Sequence, residues 1–393
     1  MSRTTLEVAA IFRRHGKDFR QTHRPSAQQQ RVMRAIELCR TSSLGGHVEQ
    51  CGQCQYARIA YNSCRNRHCP KCQSRERSQW LLDRQADLLP VPYFHLVFTL
   101  PPQIAAIALQ NPRVLYGLLF RISAETLLTI ARDPRHPGAE IGFFSVLHTW
   151  GQNLLFHPHI HCVATGGGIP PDSDRFIQTK PGFFLPVRVL SALFRRLFLE
   201  ALLEAHRDGL LRFHGELAAL ANPERFAAYL EPFRHSAWIV YAKPPFGGPR
   251  QVLAYLARYT HRVAIANERL TAHADGQVTF RWKDYRLKNR HKKKMMTLEA
   301  HEFIRRFLLH TLPPGLQRIR HYGFLANCHR RAKLQLCREL LETELQALLP
   351  AEAAREASSI LVGAERPLPR CPHCGVGGMV WVGVFAPFPS DSS

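Results

Sequence analysis

The sequence predicts an α+β or α/β core joined to a cysteine-rich N-terminal module. Two observations carry this. Strand-like and helix-like stretches alternate through the middle of the chain, the pattern of a sheet with helices packed on it. Cysteines two residues apart crowd one block near the N-terminus, a spacing that points to metal rather than disulfides. A third observation bears on the partner: 53 Lys and Arg against 30 Asp and Glu give a formal charge of +23 over 393 residues, with a pI near 10.1. An excess of that size points to a polyanion, most simply nucleic acid.

The length suffices for two or three domains with a sizeable core. We expect a helical and metal-binding DNA-binding domain over residues 1–90, a catalytic domain over 91–310, and a helical C-terminal region over 311–393. Residues 1–45 have helical periodicity, clearest in "RVMRAIELC" (31–39), and "THRP" (22–25) interrupts it. After the cysteine block (47–72), "SRERSQWLLDRQADLL" reads as an amphipathic helix closed by "PVPY". "YFHLVFTLP", "IGFFSVLHTW" and "HIHCVATGG" have strand composition, with a helical stretch at 103–132 between the first two. A long amphipathic helix is predicted at 189–206, then a strand in "AWIVYAK" and a helix in "PRQVLAYLARYTHRVAIA". "GQVTFRWKDY" reads as an edge strand ahead of the basic run "RLKNRHKKKMMT". Helices near 299–310 and 330–347 precede a terminal "CPHC", and no repeat of 20–50 residues is present.

No apolar run reaches the roughly 18 residues that would span a bilayer, and the opening residues lack a signal-peptide core. We therefore expect a cytoplasmic protein with no membrane partner. Its 11 cysteines would sit in a reducing compartment. There, Cys51-x2-Cys54 and Cys69-x2-Cys72 match one tetrahedral Zn²⁺ site closed by four thiolates. Cys64, His68 and His47 lie close enough to replace a ligand or to build a second site. Arg58, Arg65, Arg67 and Lys71 are interleaved with them and suit phosphates. Cys371 and Cys374 form half a site that needs partners such as Cys328, His329 or Cys337, or another chain. Cys39 and Cys162 read as ordinary buried cysteines.

"LLFHPHIHCVATGGG" (154–168) is the most distinctive stretch. In a strand, residues i and i+2 share a face, so His159 and His161 would present two imidazoles to one divalent ion. Pro158 is expected to bend the chain before the regular strand begins, setting His157 apart, and Gly166–Gly168 to end it. Most His-apolar-His triplets are incidental. This one gains weight from "YLARYTHR", where Tyr255 and Tyr259 share one face of a predicted helix, with Arg258, His261 and Arg262 around them. A tyrosine beside a metal-bound phosphodiester can serve as nucleophile. A phosphotyrosine keeps the bond energy, so rejoining needs no nucleotide, and no G-x4-G-K-[ST] loop occurs. Trp282, Lys283, Arg286, Lys288, Arg290, Lys292, Lys293 and Lys294 combine cationic and aromatic side chains, as single-stranded DNA sites do.

"HPHIH", "YLARY", "SCRNRHCPKCQ" and "RIRHYGFLAN" together resemble the rolling-circle transposases of bacterial insertion sequences. These form the insertion sequence ninety-one family within the HUH endonuclease superfamily, and the resemblance covers nearly the whole chain. It implies an α+β, HUH-type ferredoxin-like antiparallel sheet with flanking helices, and cleavage of single-stranded DNA at the element's ends through a 5′-phosphotyrosine link. It makes His159 and His161 the ligands of a catalytic Mg²⁺ or Mn²⁺, and Tyr255 and Tyr259 the paired nucleophiles. Its third metal ligand has His148, Gln152 and His261 as candidates. The competing readings are a non-catalytic zinc-containing DNA-binding regulator and a zinc hydrolase, the latter disfavoured because no HExxH helix is present.

Overall fold

The computed structural model describes residues 6–73, 87–171, 175–180, 184–243, 263–283, 293–348 and 370–388. The chain opens with α1 (Val8–His23) and α2 (Ala27–Leu38), separated where Arg24 takes a left-handed conformation (φ 45°) ahead of Pro25. Ser26 starts α2 with a capping box: its hydroxyl accepts from the Gln29 amide, and the Gln29 side chain accepts from the Ser26 amide. β1 (Gly46–Cys51) and β2 (Ala57–Tyr61) then form an antiparallel hairpin.

β3 (Tyr93–Thr99) is followed by α3 (Pro102–Gln110) and α4 (Pro112–Arg132), not by the one helical stretch expected over 103–132. The break falls at Asn111 because Pro112 offers no N–H and pushes the preceding residue out of the α region, here to φ −124°, ψ 52°. α4 is long and apolar enough by composition to cross a bilayer, yet most of it is buried inside the protein as the central core helix. β4 (Glu140–Trp150), β5 (Phe156–Ile169) and β6 (Ile177–Gln178) follow. Next come α5 (Val187–Arg207), α6 (Pro223–His235) and β7 (Val240–Lys243). β8 (Leu270–Ala274), β9 (Gln277–Lys283) and β10 (Lys293–Glu299) lead to α7 (Ala300–Leu308). β11 (Ile319–Gly323), α8 (Arg330–Leu348) and β12 (Met379–Phe385) complete the chain.

Six strands form the main sheet, in the order β11-β4-β5-β3-β7 with β6 at the end of β5, and its neighbours all run antiparallel. Four of its strands follow β3–helices–β4–β5–helices–β7 with β3 set between β5 and β7, which is the ferredoxin-like arrangement. The fold is thus α+β. One face, carrying Phe94, Leu96, Phe98, Phe143, Leu147 and Ile160, packs on Leu119 and Phe120 of α4 and on Phe194 and Phe198 of α5. Alternation sends Tyr93, Phe144, Val146 and Val163 to the opposite face, where Leu334, Cys337 and Leu341 of α8 cover part of it.

A second core joins the N-terminal helices to the later part of the chain: Phe12, Phe19 and Ile36 pack with Ile265, Phe280, Phe303 and Phe307. There the antiparallel sheet β10-β9-β8 meets α1 and α7, with the Phe12 and Phe307 rings edge to face at 5.2 Å. A third sheet pairs β1 with both β2 and β12, so chain segments from the two ends lie side by side.

Two expectations about β5 are corrected. The strand begins at Phe156 and passes through His157 and Pro158 rather than starting after them. The pairing with β4 slips between His148 and Trp150, and Pro158, lacking an N–H, falls in that irregular stretch where its carbonyl still accepts from Leu100. Nor do Gly166–Gly168 end the strand, which pairs on to Ile169. A Cβ on Gly168 would collide with the Glu140 carbonyl, so glycine there lets β4 and β5 stay in contact.

Candidate functional site

The histidines of β5 stand on the sheet face opposite the helical core. His159 and His161, two residues apart, bring their Nε2 atoms to 3.1 Å. His148 pairs with His159 across β4, and its ring joins theirs, so that one nitrogen from each of the three lies within 4.8 Å of the others. His148 and His161 are buried and His159 is half-buried. Behind His148, Trp150 stacks at 4.7 Å between ring centres.

The outer ring nitrogens are also engaged. His159 Nδ1 lies 2.7 Å from the His157 carbonyl, which can only accept, so Nδ1 carries the proton and Nε2 keeps its lone pair. His161 Nδ1 is 2.8 Å from His95 Nε2 on β3. His95 is buried, and burial, reinforced by Lys243, pushes its pKa down to about 4, which keeps it neutral at physiological pH. His95 is a neighbour that sequence reasoning missed. It sits in "YFHLVFTLP" with no partner at metal-ligand spacing, and only the β3–β5 register brings it close.

Of the two described residues considered as a further ligand, His148 and Gln152, His148 is the one the structure brings to the pair. Gln152 instead offers its backbone carbonyl to Arg269. His261 lies outside the described residues, as do Tyr255, Tyr259, Arg258 and Arg262. The described residues on either side of their segment lie near the histidine strands. Lys243 pairs with His95 at one end. At the other, Ala264 and Ile265 pack in the cluster that contains Trp150.

Trp282 and Lys283 end β9, and Lys293 and Lys294 begin β10, so they close the base of one hairpin. The Lys294 ammonium lies 5.6 Å from the Trp282 ring centre. Trp282 also packs against the Trp150 cluster. Arg286, Lys288, Arg290 and Lys292 belong to the connecting segment, outside the described residues.

The cysteines do not group as their spacing predicts. Cys69 and Cys72 lie with Cys64 and Cys39, whereas Cys51 and Cys54 lie with Cys371 and Cys374. The reason is the β1–β2 hairpin. Cys51 and Cys54 sit at its turn, and the chain runs back along β2 before reaching Cys64, a strand length of about 17 Å at 3.3 Å per residue. In the first quartet Cys72 Sγ is 3.7 Å from Cys39 Sγ and 3.6 Å from Cys64 Sγ. Four thiolates around Zn²⁺ at about 2.3 Å would stand about 3.8 Å apart, so this donor set suits a structural zinc ion. Cys39, read as a plain core cysteine, caps the end of α2 and turns its sulfur into the quartet. Its thiol is held near 7 by the neighbouring Cys64 and Cys69 sulfurs.

His68 and His47 are engaged elsewhere: His68 Nε2 accepts from the Leu312 amide, and His47 meets Glu49 and stacks on Trp381. Three of the interleaved basic residues are also committed internally. Arg67 donates to the Pro313 and Leu316 carbonyls, Lys71 pairs with Glu7, and Arg58 with Glu49.

Family profiles match both the N-terminal part of the chain and the part that carries the histidines. A family profile described as "Transposase zinc-binding domain" matches residues 11–100, and one described as "Putative transposase" matches residues 142–333. The chain is 59% identical over 389 residues to "Putative transposase y4qJ" of Sinorhizobium fredii, covering 98% of this chain and 97% of that protein. It is 29% identical over 302 residues to "Transposase for insertion sequence element IS801" of Pseudomonas savastanoi pv. phaseolicola, covering 74% of this chain and 68% of that one. No solved structure matches. With a zinc-binding N-terminal domain, a transposase profile over the sheet that bears the histidines, and a relative alike along almost its full length, the chain belongs to the IS91 family of insertion-sequence transposases.

Proposed function

We propose that this transposase cuts and rejoins single-stranded DNA at the ends of its element by rolling-circle chemistry of the HUH type. The observation that supports it most is the pair of Nε2 atoms of His159 and His161 at 3.1 Å, with His148 beside them. Nitrogen donors crowded this closely on a ferredoxin-like sheet fit a small divalent cation. Imidazole favours Mn²⁺ over Mg²⁺ in such a set, and either ion, when bound, would polarise a phosphoryl oxygen.

The chain's own groups do the rest. The basic hairpin of Lys283, Arg286, Lys288, Arg290, Lys292, Lys293 and Lys294 tracks the DNA backbone, with Arg258 and Arg262 on the phosphates near the tyrosines. Trp282 offers a surface for a base. Tyr255 or Tyr259 attacks phosphorus through its phenolic oxygen. The new tyrosyl O–P bond forms as the P–O3′ bond breaks, and the proton lost by the phenol is balanced by protonation of the departing 3′-oxygen. The product is a 5′-phosphotyrosine and a free 3′-hydroxyl, and reversal onto another 3′-hydroxyl transfers the strand with no nucleotide cofactor. The second tyrosine allows donor and target to be cut in turn. The site of action is the cytoplasm, where the bacterial DNA lies.

The test is a labelled single-stranded oligonucleotide bearing an element end, incubated with the protein and Mn²⁺ and run on a denaturing gel. We expect a covalent protein–DNA adduct, lost in His161→Ala and in the Tyr255→Phe/Tyr259→Phe double variant. Absence of nicking with any divalent ion, or an adduct that survives loss of both tyrosines, would overturn the proposal.

A further inference from the structure

We propose that Cys51, Cys54, Cys371 and Cys374 hold a second structural zinc ion that fastens the C-terminal strand to the N-terminal domain. Cys54 and Cys371 are 317 positions apart in sequence, yet their sulfurs approach to 3.6 Å, and Cys51 and Cys374 to 3.8 Å. These are the sulfur separations of a tetrahedral tetrathiolate with Zn–S bonds of about 2.3 Å.

The two pairs are built alike. After Cys51 the chain turns so that the Gln55 amide donates to the Cys51 carbonyl at 3.2 Å, and Gln55 takes a left-handed φ of 58°. After Cys371 the Gly375 amide donates to the Cys371 carbonyl at 2.9 Å, and Gly375 has φ 73°. Backbone amides also point at the sulfurs. Gln53 and Cys54 donate to Cys51 Sγ, His373 to Cys371 Sγ, and Gly377 to Cys374 Sγ, at 3.3–3.5 Å. Such donors stabilise thiolate charge. The space is tight as well, since a Cβ on Gly377 would run into Cys51 Sγ.

Burial gives a second, independent argument. Of the seven residues of β12 only Met379 is buried, and the core beneath it is Cys51, Cys371 and Met379 with Cys374 against it. That is too little apolar surface to hold a terminal strand, and modules of this size rely on metal or disulfide staples. The zinc-binding match ends at residue 100, so it leaves Cys371 and Cys374 unassigned. The inference does not depend on the cleavage chemistry.

Zinc content of the full chain, purified under reducing conditions, tests it. We expect two zinc ions per chain in the native protein. One should remain in Cys371→Ser/Cys374→Ser, and one in Cys69→Ser/Cys72→Ser. Thiol alkylation read by mass spectrometry needs no variant. Cys51, Cys54, Cys371 and Cys374 should be protected together and become reactive together after chelation, whereas the exposed Cys328 should react equally before and after it. A single zinc in the native chain, two zinc ions surviving in Cys371→Ser/Cys374→Ser, or Cys371 and Cys374 alkylating as fast as Cys328 in the zinc-loaded protein would overturn the proposal.

Discussion

In the proposed cation site, His159 and His161 are oriented by groups on the far side of their rings. The His157 carbonyl fixes the His159 tautomer. His95, kept neutral by burial, can accept a hydrogen bond from His161 Nδ1–H and so leave His161 Nε2 free to donate its lone pair. Replacing such an orienting partner typically lowers metal affinity 10–100-fold. His95→Phe should therefore weaken Mn²⁺ binding by about that factor in a calorimetric titration, while far-ultraviolet circular dichroism stays unchanged. At residue scale, His310 gives a pH prediction. It is fully buried, donates from Nε2 to the Leu154 carbonyl, and burial pushes its pKa down from 6.5 to about 4. Between those values the unfolded chain binds the proton and the folded chain does not. Stability is thus intact above pH 6.5 and falls as pH drops towards 4, by about 3.5 kcal/mol from this residue at about 1.4 kcal/mol per unit. The urea midpoint measured at pH 7 and pH 5 should show this decline, and His310→Gln should reduce it.

Elements are held by close backbone approaches that side-chain patterns only partly reveal. Gly323 ends β11 with φ 58°, and a Cβ there would collide with the Ile141 carbonyl. Gly323→Ala should cost about 2 kcal/mol or more, read as a lower urea midpoint, because it adds strain and a clash together. Strand periodicity made β3, β4 and most of β5 legible in the sequence, and with them the shared face of His159 and His161. It did not show the break at Asn111, where proline chemistry overrode a helical run, nor the passage of β5 through Pro158. The cysteine quartets were misgrouped for a related reason. Spacing along the chain reports proximity only when no element intervenes, and the β1–β2 hairpin does. Cys39 and His95 carried no local pattern at all, since each meets its partners through tertiary contact.

Several of the cations behind the +23 charge are paired with acidic side chains, among them Arg20, Arg58, Lys71 and Lys333. The base of the β9–β10 hairpin keeps Lys283 and Lys294 beside Trp282, an arrangement suited to DNA, the partner on which a transposase acts. Each phosphate neutralised on a single strand contributes a slope of about −0.7 to the dependence of log affinity on log salt. Lys283→Gln/Lys294→Gln should make the slope shallower by about 1.4 if each contacts one phosphate, measured by fluorescence anisotropy across a salt series. Trp282→Ala should lower affinity at every salt concentration with the slope unchanged, since stacking releases no counterions.

The pairing of β1 with β12 also governs the order in which the molecule can be finished. A ribosome delivers β1 early, with β2 soon after on one side, but the other edge stays open until residues 379–385 emerge. Until then β1 is an unpaired strand edge of the kind that invites pairing with other chains. A chain cut short after α8 would leave that edge of β1 without its partner strand.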